Sequence, residues 1–171
     1  MDKMGTNPQI ILIDGPAGSG KTTLALKLVE QLRESSTCEL IHLDYVYNGW
    51  DDALSQHLTK TLGDLLKAFL AGANFQLPIY DWRAGEFNSF RTIYPAENLI
   101  IEGVGAGQSA IRSFASQLYW VEAPDEIGLQ RVLERDGMDI ADQMRRWKLR
   151  EAEHFAAERT RDFADFIIST T

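Results

Sequence analysis

The sequence predicts a single-domain α/β fold of three layers, with helices on both faces of a mostly parallel five-stranded sheet. Three observations predict it. Short apolar runs alternate with helical stretches along the 171 residues, the order that places crossover helices on the two faces of a parallel sheet. The first run stops at a glycine and passes through small residues into a lysine and a helix. Three of the runs end in or beside an acid, at the edge where open parallel sheets hold their ligands.

The elements follow in order. "QIILID" (9–14) is a short apolar run halted by Gly-Pro, hence a buried strand. From Lys21 the leucines at 24, 28 and 32 recur every four residues, one helical face running to about Glu34. "ELIHLD" (39–44) reads as the second strand. Asp51 or Asp52 is placed to cap a helix, and the leucines from Leu54 to Leu70 predict one or two helices ending near Gly72. "FQLPIYDWRAGEF" reads as irregular, with Pro78 and Gly85 as breakers. "NLIIEGV" (98–104) and "QLYWVEA" (117–123) are the third and fourth strands. Pro124 opens a helix to about Glu134, a charged helix spans about 140–159, and "ADFIIST" is the fifth strand. Residues 1–8 read as a short flexible tail, 9–171 as the domain, and about 131–150 as a helical lid.

Composition narrows the function. The net charge of -8 disfavours nucleic-acid and membrane-surface partners, both of which reward a basic surface. Cys38 is the single cysteine, which fits a reducing cytoplasm. No apolar run approaches the roughly 18 residues of a membrane span. Self-association stays open.

The chemistry starts at Gly15-Pro16-Ala17-Gly18-Ser19-Gly20-Lys21-Thr22, which fits G-x-x-x-x-G-K-[ST]. Small side chains let backbone N–H groups turn in on phosphate oxygens, and the helix from Lys21 and Thr23 adds its free N–H groups and positive dipole end. Lys21 reaches the β- and γ-phosphates of ATP, and the Thr22 hydroxyl is a ligand for Mg²⁺. Asp44, at the second strand end, is placed to accept or orient an acceptor hydroxyl proton. Glu102, at the third, can hold Mg²⁺ through water or meet the acceptor. Asp14 either orients the loop or is satisfied by neighbouring N–H groups. Tyr80, Asp81 and Trp82 put aromatic faces and a carboxylate on one segment, suited to a flat base or a sugar. Arg131 and Arg135, four apart, share a helix face and can meet transferring phosphate. A solvated helix, ion-paired through Glu134, Asp136, Glu151 and Glu153, is the competing reading of that region.

With these motifs in hand, the chain resembles the uridine kinase-like branch of the P-loop kinases. "GPAGSGKT" resembles the family's phosphate loop, and "HLDYVYNGWDD" the segment carrying its catalytic aspartate, here Asp44. "LLKAFLAGANFQLPIYDW" is similar to its leucine-rich helix followed by Tyr-Asp-aromatic, "LIIEGV" to its strand ending in Glu-Gly, and "LQRVLERDG" to its lid. The resemblance implies a P-loop NTPase fold, ATP and Mg²⁺ as cofactors, and Lys21, Asp44 and Arg135 as catalytic residues. It places Tyr80, Asp81, Trp82, Glu102 and Arg131 on the acceptor side. After Trp82 the chain lacks a histidine that the pattern calls for. Three functions follow. A hydroxyl of a small molecule, foremost a nucleoside, receives the γ-phosphoryl group; or the acceptor is another small metabolite or a nucleoside monophosphate, the latter with Arg83, Arg91 or Arg112 as the second anion site; or the chain is an ATP-binding regulatory ATPase.

Overall fold

The computed structural model describes residues 7–171; most of the expected tail, residues 1–6, lies outside the described residues. In chain order the elements are β1 (Gln9–Asp14), α1 (Lys21–Arg33), β2 (Cys38–His42), α2 (Gln56–Leu70), β3 (Phe75–Asp81), β4 (Glu86–Ile93), β5 (Asn98–Glu102), α3 (Ser109–Arg112), β6 (Gln117–Glu122), α4 (Asp125–Asp136), α5 (Ala141–Glu158), α6 (Thr160–Phe163) and β7 (Phe166–Ser169). The main sheet runs β2-β5-β1-β6-β7, and every pairing in it is parallel.

β1 explains the three layers. Its side chains alternate between faces. Ile10 and Leu12 join the core packed under α2, with Leu58, Leu62, Leu65, Leu66 and Phe69. Ile11 and Ile13 join the opposite core, with Ala25 and Val29 of α1. Each fully buried Leu, Ile or Phe side chain among them stabilises the fold by roughly 1.5–3 kcal/mol. Ser55, rather than Asp51 or Asp52, caps α2: its hydroxyl accepts the His57 N–H at 3.3 Å.

Two expectations are corrected. The second strand stops at His42, and Leu43–Tyr45 form a 3₁₀ turn, so Asp44 sits just past the sheet edge. The segment expected to be irregular is an antiparallel hairpin, with Phe75 opposite Ile93 and Asp81 opposite Glu86. Pro78 is tolerated because β3 pairs on one side only. Gly85, at φ +71°, closes the turn, its N–H donating to the Asp81 carbonyl at 2.7 Å. Arg91 fastens the hairpin to the sheet edge, donating to the Leu40 carbonyl and pairing with Glu39.

The phosphate loop is wedged against α4. A Cβ on Gly18 would stand 2.1 Å from the Gly128 carbonyl oxygen, and φ there is +76°. Gly18→Ala is therefore expected to destabilise the fold by about 1–3 kcal/mol. Urea unfolding checks this, and an unchanged midpoint would contradict the contact.

Candidate active site

The carboxyl edge of the sheet gathers the charges. Lys21, the first residue of α1, is buried, and its Nζ donates to the Pro16 carbonyl at 2.8 Å across the loop. Burial pulls its pKa down, while the negative charges of Glu102, Asp14, Glu151 and Asp44 hold it up. Thr22 and Thr23 are exposed on the first turn of α1. The Thr22 hydroxyl donates to Glu102 Oε1 at 3.0 Å. Ser19 is buried in the loop, and its carbonyl accepts from the Thr170 hydroxyl at 2.5 Å.

The three acids differ. Asp14 is satisfied by the chain itself. It accepts the N–H groups of Gly15, Gly107 and Gly105 at 2.7, 2.8 and 3.1 Å, binding the loop after β1 to the loop after β5. Burial nonetheless pushes its carboxyl up, against those three N–H groups and Lys21. Glu102 is buried at the end of β5 and bridges Thr22 to His42, whose Nδ1 lies 2.6 Å from the same Oε1. Asp44 is exposed at its surface, with protein packed around the rest of it. That packing and the charge of Glu102 push its carboxyl up, while Lys21 and Arg135 pull it down. Asp44, Glu102, Lys21 and Arg135 thus share one electrostatic neighbourhood.

An aromatic wall adjoins Asp44. Trp82 is 40% exposed, and its indole N–H donates to the Asp44 carbonyl at 2.8 Å. Its ring meets Tyr80 and Trp50 edge-on, with centroids 4.9 and 5.6 Å away, and Tyr80 meets Phe87 at 5.2 Å. Asp81 has another task. Its carboxylate accepts the N–H groups of Arg83 and Ala84 and the Asn88 amide, so it builds the hairpin turn.

The arginines separate as well. Arg135 is held in a two-point contact by Asp136, at 2.9 and 2.7 Å, and feels the charges of Asp44 and Glu102. Arg131 sits behind the loop, donating to the Gly18 carbonyl and the Thr170 hydroxyl. Arg112 is tied to the carbonyls of Gly107 and Glu158, and Arg91 to β2.

Sequence reasoning missed His42, Lys148 and Glu151. Glu151 is buried, where a solvated helix face was the competing expectation. The signal for it was present: Met144, Trp147 and Glu151 are the buried residues of α5, spaced three and four apart.

Comparison with known proteins follows the same lines. Residues 11–158 match the model of the AAA domain family. The uridine kinase of Leuconostoc citreum (strain KM20) is 32% identical over 151 residues, 78% of this chain and 70% of that one. The uridine kinase of Lactobacillus johnsonii (strain CNCM I-12250 / La1 / NCC 533) is 30% identical over 145 residues, 75% of this chain and 68% of that one.

This chain belongs to the uridine kinase-like P-loop kinases.

A structure described as a possible uridine kinase from Bacillus stearothermophilus superposes with a TM-score of 0.73 at 24% identity, over 96% of this chain and 90% of that one. The kinase fold is thereby shared, and with the family comes phosphotransferase chemistry. Among the described residues, no helix is long and apolar enough to cross a membrane. The residues fit the family's cofactors. The loop, Lys21 and the N-terminus of α1 suit nucleotide phosphates. The exposed Thr22 hydroxyl beside the Glu102 carboxylate is a hard-oxygen donor pair suited to Mg²⁺.

His42 makes this kinase's stability depend on pH. The hydrogen bond to Glu102 raises the His42 pKa above its ordinary value. The stabilisation is complete below about pH 6.5, the unfolded value, and is lost as pH rises through the raised folded value. The melting temperature of the wild type, relative to that of His42→Gln, is expected to fall over this window. The fall should be about 2–4 °C per kcal/mol of coupling lost. Parallel melting curves at pH 5.5–8.5 would contradict it.

Proposed function

We propose that the chain transfers the γ-phosphoryl group of Mg·ATP to a hydroxyl of a nucleoside, uridine foremost. One observation carries the reading: the carboxylate of Asp44 shares the neighbourhood of Lys21, Glu102 and Arg135, while its own carbonyl anchors the aromatic wall at Trp82. The names of the curated relatives support uridine as the acceptor.

The loop N–H groups and Lys21 bind the donor phosphates, once the ammonium exchanges the Pro16 carbonyl for phosphate oxygens. Thr22 and Glu102 would hold Mg²⁺, which when bound supplies neutralising charge at the β- and γ-phosphates. Tyr80 and Trp82 offer their faces to the acceptor. Asp44 accepts the proton of the acceptor hydroxyl as its oxygen bonds to the γ-phosphorus and the bond to the β-phosphate oxygen breaks, releasing ADP. A raised Asp44 pKa makes it a stronger proton acceptor while Lys21 and Arg135 keep it ionised. Arg135 offers charge to the transferring group from the lid, by leaving Asp136. Asp81 and Arg131 are assigned to the hairpin and to the back of the loop. Of the three arginines that could receive a monophosphate acceptor, Arg91 and Arg112 are engaged by backbone carbonyls, and Arg83 lies on the hairpin turn.

Asp44→Asn tests the reading. With uridine and Mg·ATP, kcat is expected to fall by about 10²–10⁴, with ATP affinity unchanged by calorimetry. Turnover at the wild-type rate would remove Asp44 from the chemistry. Transfer to CMP or UMP, with none to nucleosides in the wild type, would replace the acceptor.

A further inference from the structure

We infer that Glu151 is a positioning residue for the phosphate loop, and that α5 ties the shape of this loop to the segment following Asp44. The inference rests on the kinase reading above. Glu151 is 3% exposed. Its Oε2 accepts the Ala17 N–H at 3.0 Å and the Trp147 indole N–H at 3.1 Å. Its Oε1 pairs with Lys148 Nζ at 2.9 Å. Lys148 Nζ also donates to the Ala17 carbonyl at 3.1 Å. Both polar groups of the Ala17 backbone are therefore gripped by one charge pair on α5.

An ion pair withdrawn from water is a poor source of net stability, because desolvation offsets much of the attraction. What this pair supplies is geometry. It turns the Ala17 N–H out of the cradle and fixes the tip of the loop, whose other flank leans on Gly128 and Arg131 of α4. A glutamine cannot replace Glu151. Its one acceptor oxygen cannot serve Ala17, Trp147 and Lys148 as two carboxylate oxygens do.

The same helix continues to the acceptor side. The Trp147 ring packs on Tyr47 and Trp50, with centroids 5.4 and 6.2 Å away. Arg150 donates to the Trp50 carbonyl at 2.8 Å and pairs with Asp51 at 3.0 Å. A displacement of residues 47–51 on acceptor binding reaches Ala17 through less than two turns of one helix.

The test is titration of the whole chain with Mg·AMPPNP, followed by calorimetry and tryptophan emission, on variants whose melting is first shown to be cooperative. Wild type is expected to bind with a change in emission. Glu151→Gln and Lys148→Met are each expected to weaken binding about tenfold. The double variant should bind no more weakly than either single one, because the pair acts as a unit. Trp147→Phe, which keeps a ring on Tyr47 and Trp50 but removes the indole N–H from Glu151, should reduce the emission change. Wild-type affinity in both single variants, additive losses in the double, or a full emission change without Trp147 would each overturn the inference. Should Glu151→Gln not fold, Lys148→Met decides, since the Lys148 side chain is 17% exposed against 4% for Glu151. Failure of the wild type itself to bind AMPPNP would overturn the kinase reading instead.

Discussion

The buried ammonium of Lys21 is the charge around which the carboxyl edge of the sheet is arranged. Burial disfavours a charged lysine, and the chain offsets that with Glu102, Asp14, Glu151 and Asp44. Those acids come from β5, β1, α5 and the turn after β2, so the charge balance is also a map of which elements must meet. Asp14 closes the loops after β1 and β5 together through three N–H groups. With the floor fixed in this way, the hydrogen bond made by the Lys21 ammonium, to the Pro16 carbonyl, is to the loop beside it. In the proposed reaction an incoming phosphate would compete for that ammonium, exchanging the one contact to Pro16.

The cleft is completed by two elements of different character. The hairpin β3–β4 is held at the sheet edge by Arg91, and it presents Tyr80 and Trp82 beside Asp44. On the other side α4 brings Arg135 into the electrostatic reach of Asp44 and Arg131 behind the loop, and α5 grips Ala17. In the proposed reaction donor and acceptor would meet over a sheet whose packing on two faces supplies rigidity, which is what positioning catalysis requires.

The parallel sheet, the phosphate loop and the acids at the strand ends were legible in the sequence, because each is written in local pattern: apolar runs, small residues before a lysine, a carboxylate where a run stops. The hairpin was hidden by Pro78 and Gly85. Both read as breakers, although Phe75, Leu77 and Ile79 alternate, and the free edge that tolerates Pro78 exists only in the folded molecule. Asp81 read as a ligand because a turn carboxylate and a binding carboxylate look alike until their donors are known. His42 and Glu151 escaped because their partners, Glu102 and Ala17, lie 60 and 134 residues away in the chain. Arg131 was rightly placed on the face it shares with Arg135, but helix periodicity does not say which of two arginines turns to the cleft.

The most direct measurement is a crystal structure of the chain with Mg²⁺ and AMPPNP. The expected result has the β- and γ-phosphates on the loop N–H groups, with Lys21 moved from Pro16 onto them. The metal ion should lie on the Thr22 and Glu102 side, and Asp44 should face the γ-phosphorus. A nucleotide bound away from the loop, or a γ-phosphate turned away from Asp44, would contradict a phosphotransfer centre built around Lys21.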